Sequence, residues 1–374
     1  MKKILWWLLF TGLIIKLGSF IYFQKELFLK PFDPIHVGKV YSQSQYVIGN
    51  ASKGGIGDDW LYAFAGYYYL FQGGDVSSVN FEHPPLGKYL IGLSILFFGN
   101  ENVINVFYFA FLLFLTYKIS RLLSNNSLLA LLSVTVLSYD PLFLDNLPRS
   151  MLDLPFTLFF IGGVYFFLKG LENANNYYFS FIFWGMAFST RFFPVLVIVC
   201  AYMFLIVLIL QKKQIKLFIF ASLIVPLIYL LSHTSFFIYH PSLIEFLRHK
   251  KWMLVWFTGT PVLIGNIWRV IFTGYYLDST KVLARESHWV PIIPLVVVLG
   301  ITFFRKKMLK LKKYHNLAII YGLSMMYLIY LTVLSGGIQK FMMPVYPLLI
   351  ILAVDHTSRL YSIITTWTKR IYGS

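Results

Sequence analysis

Apolar runs long enough to cross a bilayer recur along the whole 374-residue chain, and no other feature confines the fold as much. One span needs about 20 apolar residues. Inside hydrocarbon every backbone N–H and C=O must be satisfied by the protein itself, which leaves helices and closed barrels. Barrel strands alternate apolar and polar residues, and these runs do not. Ten spans are expected: 4–23, 103–120, 127–144, 154–169, 177–190, 192–210, 217–232, 289–304, 315–334 and 341–356. Composition agrees, with 58% hydrophobic and 13% charged residues against about 25% charged in soluble domains. The reading is an all-α polytopic membrane protein, a single domain over 1–374 with about ten transmembrane helices. A soluble enzyme, a disordered chain and a fibrous repeat are excluded. The stretch Ile4–Phe23 behind Lys2 and Lys3 is long for the apolar core of a signal peptide and lacks a small-x-small cleavage site, so it is read as a retained first span. The single cysteine, Cys200, excludes an internal disulfide and a thiolate metal site.

Leu86–Phe98 is apolar but covers only 13 residues. At about 1.5 Å per residue it reaches roughly 20 Å, short of a core of about 30 Å. It is expected to be a juxtamembrane helix in the first outer loop. The segment 252–275, broken at Gly259-Thr260-Pro261, is expected to be re-entrant or interfacial. Basic residues fix the orientation. Beyond residue 100, this layout puts fifteen lysines and arginines in short segments on one side, from Lys118 and Arg121 through the cluster 305–313 to Arg370. Only Arg149, Arg191 and Lys340 fall in short loops opposite. The positive-inside rule makes the first side cytoplasmic, with both termini there. It also accounts for the net charge of +17 without invoking nucleic acid. Thirteen of the fifteen acids and six of the eight histidines then lie on the outer side. Ionisable groups facing the interior of a membrane protein are functional candidates. The working face is therefore expected to be extracytoplasmic, built chiefly from a first loop, 24–102, and a second large loop, 233–288.

Three motifs on that face carry candidate chemistry. Gly54-Gly55-Ile56-Gly57-Asp58-Asp59-Trp60-Leu61-Tyr62 places two adjacent carboxylates at the start of an aromatic helix, suited to a catalytic or metal-binding acid or to an N-cap. Asn80-Phe81-Glu82-His83-Pro84-Pro85-Leu86-Gly87-Lys88 opens the short apolar helix behind two prolines. Asp145-Asn146-Leu147-Pro148-Arg149-Ser150-Met151-Leu152-Asp153-Leu154-Pro155 sets Arg149 and Asp153 in a tight turn between two spans. An i,i+4 Arg149–Asp153 pair at a surface would be worth only about 0.3–0.5 kcal/mol.

Asp-Asp-x-x-Tyr, then His-Pro-Pro-Leu-Gly-Lys some twenty residues on, then Arg-x-x-x-Asp-x-Pro after two spans resembles the protein O-mannosyltransferase family. This family is of the GT-C class of polyprenyl-phosphate-sugar-dependent glycosyltransferases, to which the lipid A aminoarabinose transferases are related. Gly185-Met186-Ala187-Phe188-Ser189-Thr190-Arg191 and Lys340-Phe341-Met342-Met343-Pro344-Val345-Tyr346-Pro347 resemble further segments of such enzymes. The chain departs from the pattern in three ways. Asp58-Asp59 stands where Asp-Glu is usual, Lys340 where arginine is usual, and loop 233–288 is too short for the soluble lumenal insert of eukaryotic members.

The resemblance implies transfer of a sugar, mannose or another hexose, from a polyprenyl- or dolichyl-phosphate carrier to an acceptor hydroxyl on protein, lipid or glycan, with inversion. Asp58 is implied as the base, with Asp59 as its neighbour, holding the acceptor, sharing a metal or serving as the base itself. Substrate binding is implied among Glu82, His83, Lys88, Arg149, Asp153, Arg191, Arg269 and Lys340. Arg191 and Lys340 are favoured for the phosphate, with Arg149, Arg269 and Arg285 in reserve. The competing role for such cations is to snorkel as membrane-interface anchors. The motif requires no cofactor. A divalent cation, magnesium or manganese, is compatible with Asp58, Asp59 and Asp153 as hard ligands. A transporter or flippase is the alternative from another class, and it calls for a polar path at the bilayer midplane between matching halves. No such halves are visible.

Overall fold

A computed structural model of the chain describes residues 2–259, 261–301 and 311–372. Thr260 of the expected break, the end 302–304 of the eighth expected span, and Arg305, Lys306, Lys307 and Lys310 of the basic cluster lie outside the described residues. So do the side chains of Lys312, Lys313, Lys369 and Arg370.

Nearly all regular structure is helical, as expected. The one sheet among the described residues is a two-stranded hairpin, Tyr275–Leu277 against Leu283–Arg285, antiparallel with Tyr276 opposite Ala284. Among the described residues, five helical stretches are long and apolar enough to cross a membrane: Lys3–Phe23, Ile104–Ser124, Asp153–Gly170, Lys212–Ser232 and His315–Val333. Their outward faces carry Trp7, Ile15, Phe107, Phe114, Phe220, Leu227, Leu231 and Ile329, all exposed. A soluble protein does not present so much contiguous apolar surface, whereas acyl chains cover it at no cost in desolvation.

The other expected spans are also helical, but several ends move for local reasons. The run 127–144 stops at Ser138. Asp140 accepts hydrogen bonds from Leu142 N and Phe143 N, and with Pro141 it starts a separate helix, Pro141–Asn146. The run 217–232 divides at Leu223 into Ile215–Ser222 and Ile224–Ser232. Pro226 has no N–H to continue the ladder across that point. The run 192–210 begins at Val195, behind Pro194. The last run starts as a 3₁₀ turn, Gln339–Met342, before the helix Tyr346–Tyr372.

The Asp153–Gly170 helix is the centre of the bundle, and nearly every residue of it is buried. Gly162 and Gly163 lie against Phe183 and Trp184 of the Asn176–Thr190 helix, so the two backbones approach closely. Asp153 is the first residue of this central helix and stands at one end of the bundle.

The first loop covers that end. Its Asp58–Phe71 helix packs on the Leu86–Phe98 helix, which has the 13 residues expected of it and ends at Gly99 in the left-handed region. The two cross at Gly66 and Gly92. A Cβ on Gly66 would stand 2.8 Å from Gly92 N, so the crossing admits only glycine. The segment 252–275 is the end of a 16-residue helix, Leu243–Thr258, then a loop and a short helix, Asn266–Thr273. At roughly 24 Å and 12 Å, neither crosses a bilayer core.

Candidate active site

Asp58 and Asp59 occupy the first turn of the Asp58–Phe71 helix, where carboxylates interact favourably with the helix dipole. Asp59 Oδ1 accepts from Trp60 N and folds back so far that a Cβ on Gly57 would stand 2.8 Å from it. Being adjacent on a helix, the two side chains diverge by about a quarter turn, and they line different cavities.

Asp58 lines a cavity of about 340 Å³ with Glu82, His83, Arg191 and Lys340. Its remaining walls are largely apolar, including Phe192, Phe193, Trp256, Phe257, Val262, Leu334 and Phe341. Lys340 Nζ stands 3.8 Å from Asp58 Oδ2, and both side chains are partly exposed. The Arg191 guanidinium is ion-paired with Asp153 Oδ1 and lies over the rings of Phe193 and Phe341. A guanidinium has five N–H donors, so the pair with Asp153 leaves others for a ligand. The aromatic flanks fix the plane of the group.

His83 has its ring beside Tyr62 and Phe257, and its Nδ1 finds no partner among the described residues. Burial, then the charges of Arg191, Lys88 and Lys340, hold the imidazole well below its usual pKa, so it faces the cavity neutral. Glu82 accepts a 2.6 Å bond from Asn80 Nδ2, and burial pushes its carboxyl up against the pull of Lys88.

Lys88 lies outside both cavities. Its side chain is fully buried, and Nζ donates to Asn80 O (2.5 Å), Asn80 Oδ1 (3.0 Å) and His83 O (2.7 Å). All three donors of the ammonium are thereby used. Lys88 pins the backbone of 80–83, and so the placement of Glu82 and His83, without reaching a ligand.

The motif 145–153 divides its charges otherwise than expected. Arg149 pairs with Asp145 at 3.0 Å, Asp153 with Arg191, and Arg149 with Asp153 not at all. The turn Leu147–Leu152 directs Arg149 away from the central helix. Ser150 Oγ donates to Asp59 O at 2.6 Å and ties this turn to the first loop.

Asp59 and Arg149 line a second cavity, of about 840 Å³, on the other side of the same helical turn. Arg269 is exposed on the Asn266–Thr273 helix and Arg285 is exposed on the hairpin; neither lines either cavity. The three carboxylates offered as metal ligands do not converge. Asp58 and Asp59 face apart and Asp153 is committed to Arg191. No cluster of three acidic, histidine or cysteine side chains able to hold a metal occurs among the described residues. As placed, Asp58, Asp59 and Asp153 do not form a joint site for a divalent cation.

Sequence reasoning missed Asn80, Asp145 and His288. Asn80 lay beside the His-Pro-Pro motif and has φ 47°, a conformation asparagine tolerates and most residues do not. His288 comes from a loop remote in sequence, and no local signal ties it to Asp145.

A sequence profile of the dolichyl-phosphate-mannose-protein mannosyltransferase family matches residues 82–258. The match takes in Glu82, His83, Lys88, Arg149, Asp153 and Arg191 and leaves out Asp58, Asp59, Arg269 and Lys340. No curated protein matches the chain in sequence. Solved structures do match in fold. ArnT from Cupriavidus metallidurans bound to undecaprenyl phosphate superposes with a TM-score of 0.57 at 14% identity, over 81% of this chain and 56% of that one. Its apo state gives 0.59 at 13%, over 85% and 57%. The archaeal oligosaccharyltransferase AglB from Archaeoglobus fulgidus, in complex with an inhibitory peptide and a dolichol-phosphate, gives 0.58 at 11%, over 98% and 52%. The chain thus spans a little over half the length of these proteins. The chain is thus similar in fold to ArnT and AglB, and over residues 82–258 it is similar in sequence to the dolichyl-phosphate-mannose-protein mannosyltransferase family.

Proposed function

We propose that the chain is an integral-membrane glycosyltransferase that moves a hexose from a polyprenyl-phosphate carrier to an acceptor hydroxyl on the extracytoplasmic face, with inversion. The observation that carries this reading is the meeting of Asp58, Lys340 and Arg191 in one cavity with aromatic and aliphatic walls. Asp58 takes the proton of the attacking hydroxyl. The oxygen forms its bond to the anomeric carbon as the bond from that carbon to the phosphate oxygen breaks. Polyprenyl phosphate leaves with the electron pair. Lys340 and the unpaired donors of Arg191 stabilise the charge gathering on the leaving phosphate. Phe192, Phe193, Trp256 and Phe257 offer an apolar wall to the first isoprene units. That the ArnT and AglB structures hold undecaprenyl phosphate and a dolichol-phosphate supports a carrier of this class.

The test uses purified protein in nanodiscs, a panel of polyprenyl-phosphate hexoses and a mixture of hydroxyl acceptors. Acceptor-dependent release of polyprenyl phosphate is expected, with collapse in Asp58→Asn. Absence of release from every donor tried would leave a transporter as the better reading.

A further inference from the structure

With Asp58 as base and Lys340 and Arg191 on the phosphate, a sugar in the Asp58 cavity still needs partners for its ring hydroxyls. Most other polar groups in the wall are already spent. Asn80 Nδ2 donates to Glu82 and its Oδ1 accepts from Lys88. Ser335 Oγ donates to Leu331 O and accepts from Gly337 N. Of the three tyrosines in the wall, Tyr62 and Tyr330 are each only 5% exposed, whereas Tyr46 is 38% exposed. Tyr46 is thus the lining tyrosine most open to a ligand.

None of the three sequence motifs contains Tyr46. It sits in a short helix of the first loop, Gln45–Ile48. Ser44 is buried and caps that helix: its Oγ accepts from Tyr46 N at 3.3 Å and donates to Tyr41 O at 2.7 Å. Gln45 Oε1 accepts from Ile56 N at 3.1 Å, two residues ahead of Asp58. Ser52 Oγ donates to Gln43 O at 2.8 Å and closes the turn on itself. The residue beside Tyr46 is therefore tied to the segment that leads into Asp58. The two side chains are held over one cavity before a ligand arrives.

The environment of the phenol suits it to a sugar. Its hydroxyl is set against the Glu82 carboxylate, and Asp58 is close enough for its charge to act on both. Burial, then the charges of Glu82 and Asp58, push the phenol up, so it keeps its proton at neutral pH. A phenol that donates to a carboxylate still has lone pairs to accept from a sugar hydroxyl. The ring also offers an apolar face to the C–H side of a pyranose.

We infer that Tyr46 is a contact of the transferred sugar and reads one of its ring hydroxyls, with Glu82 fixing the direction of the phenol O–H. The inference rests on the transferase reading above, since it names a donor contact in that site. Tyr46 serves the sugar, and the lipid phosphate is left to Lys340 and Arg191.

Equilibrium binding tests this on the full chain in nanodiscs, with no acceptor and no turnover. The probes are labelled undecaprenyl phosphate, undecaprenyl phosphate mannose and undecaprenyl phosphate glucose. Tyr46→Phe removes one hydroxyl and keeps the ring. It should weaken the better-bound hexose donor about tenfold, as for one lost hydrogen bond, and leave undecaprenyl phosphate within about twofold. Equal weakening of all three lipids, or weakening of none, would overturn the inference. If Tyr46→Phe does not fold, Gln45→Ala, which releases the turn from Ile56, carries the same comparison with the same expected pattern.

Monodeoxy analogues of the better donor locate the contact. Removing the hydroxyl that Tyr46 reads should cost the wild type about tenfold and Tyr46→Phe less than about twofold, because the partner is already missing. Equal costs in both proteins at every ring position would again overturn the inference. A wild type that binds none of the three lipids would overturn the transferase reading itself. A wild type that binds the hexose donors without dependence on Tyr46 overturns this inference alone.

Discussion

Lys340 Nζ stands 3.8 Å from Asp58 Oδ2, which brings the turn before the final helix onto the first turn of a helix in the first loop. With side chains 33% and 45% exposed, this pair contributes little to stability. What it provides is a cation within reach of the point where the proposed reaction releases its phosphate, next to the carboxylate that would accept the proton.

Asp58→Asn should therefore reduce transfer by about 10³-fold, within the range of about 10²–10⁴ for loss of a general base. Amide and carboxylate are alike in size, so the melting temperature and donor binding should hardly change. Initial rates and donor binding, measured on the same preparation, check both statements. A residual rate above a tenth of the wild type would move the base to another residue.

Lys340→Ala should lower kcat by about 10²-fold, the loss seen when one donor to a developing oxyanion is removed. Lys340→Arg should restore most of it, because a guanidinium holds a phosphate with two parallel bonds where an ammonium acts as a point charge. Single-turnover rates with a labelled donor separate this effect from product release.

Arg191 and Asp153 form a buried pair, with side chains 11% and 5% exposed. Removing either partner leaves an uncompensated charge at the end of the central helix. Arg191→Ala and Asp153→Ala should each destabilise by about 3–5 kcal/mol. Arg191→Met combined with Asp153→Leu should recover most of that stability and none of the activity. A denaturation series with the double-mutant cycle reads the coupling directly.

Lys250 donates to His233 Nε2 at 2.7 Å over the rings of Tyr229 and Phe246, and burial pulls its ammonium down to about 7. Its unfolded value is the ordinary 10.5. Between these two values the unfolded chain binds more protons than the folded one, so stability should rise with pH from about 7 towards 10.5. Below pH 7 the full cost of burying the charge is present. Lys88 is displaced in the same direction by burial and adds to the slope. The melting temperature should climb between pH 7 and pH 9, and Lys250→Met should flatten the climb. An unchanged slope in that variant would assign the effect to Lys88.

Much of this molecule is legible in its sequence because the bilayer allows so few solutions. Satisfying every backbone group inside hydrocarbon makes each long apolar run a helix, and Leu86–Phe98, too short to cross, is the 13-residue helix that its length implies. Where helix ends moved, the cause was still local: Asp140 and Pro141 start a new helix inside an apolar run, and Pro226 breaks another.

Only the tertiary structure decided how the ionisable residues are shared out. Asp58 and Asp59 are neighbours in the chain and part company because successive residues on a helix point about 100° apart. Arg149 and Asp153 have helical spacing and do not pair, because the turn between them is not helical and each finds a nearer partner, Asp145 and Arg191. Lys88 reads as a substrate-binding cation and is spent inside the protein on Asn80 and His83. His288 meets Asp145 from a loop far along the chain. Periodicity and length determine which segments are helices. Which charges meet depends on contacts between segments remote in sequence, and no spacing rule encodes those.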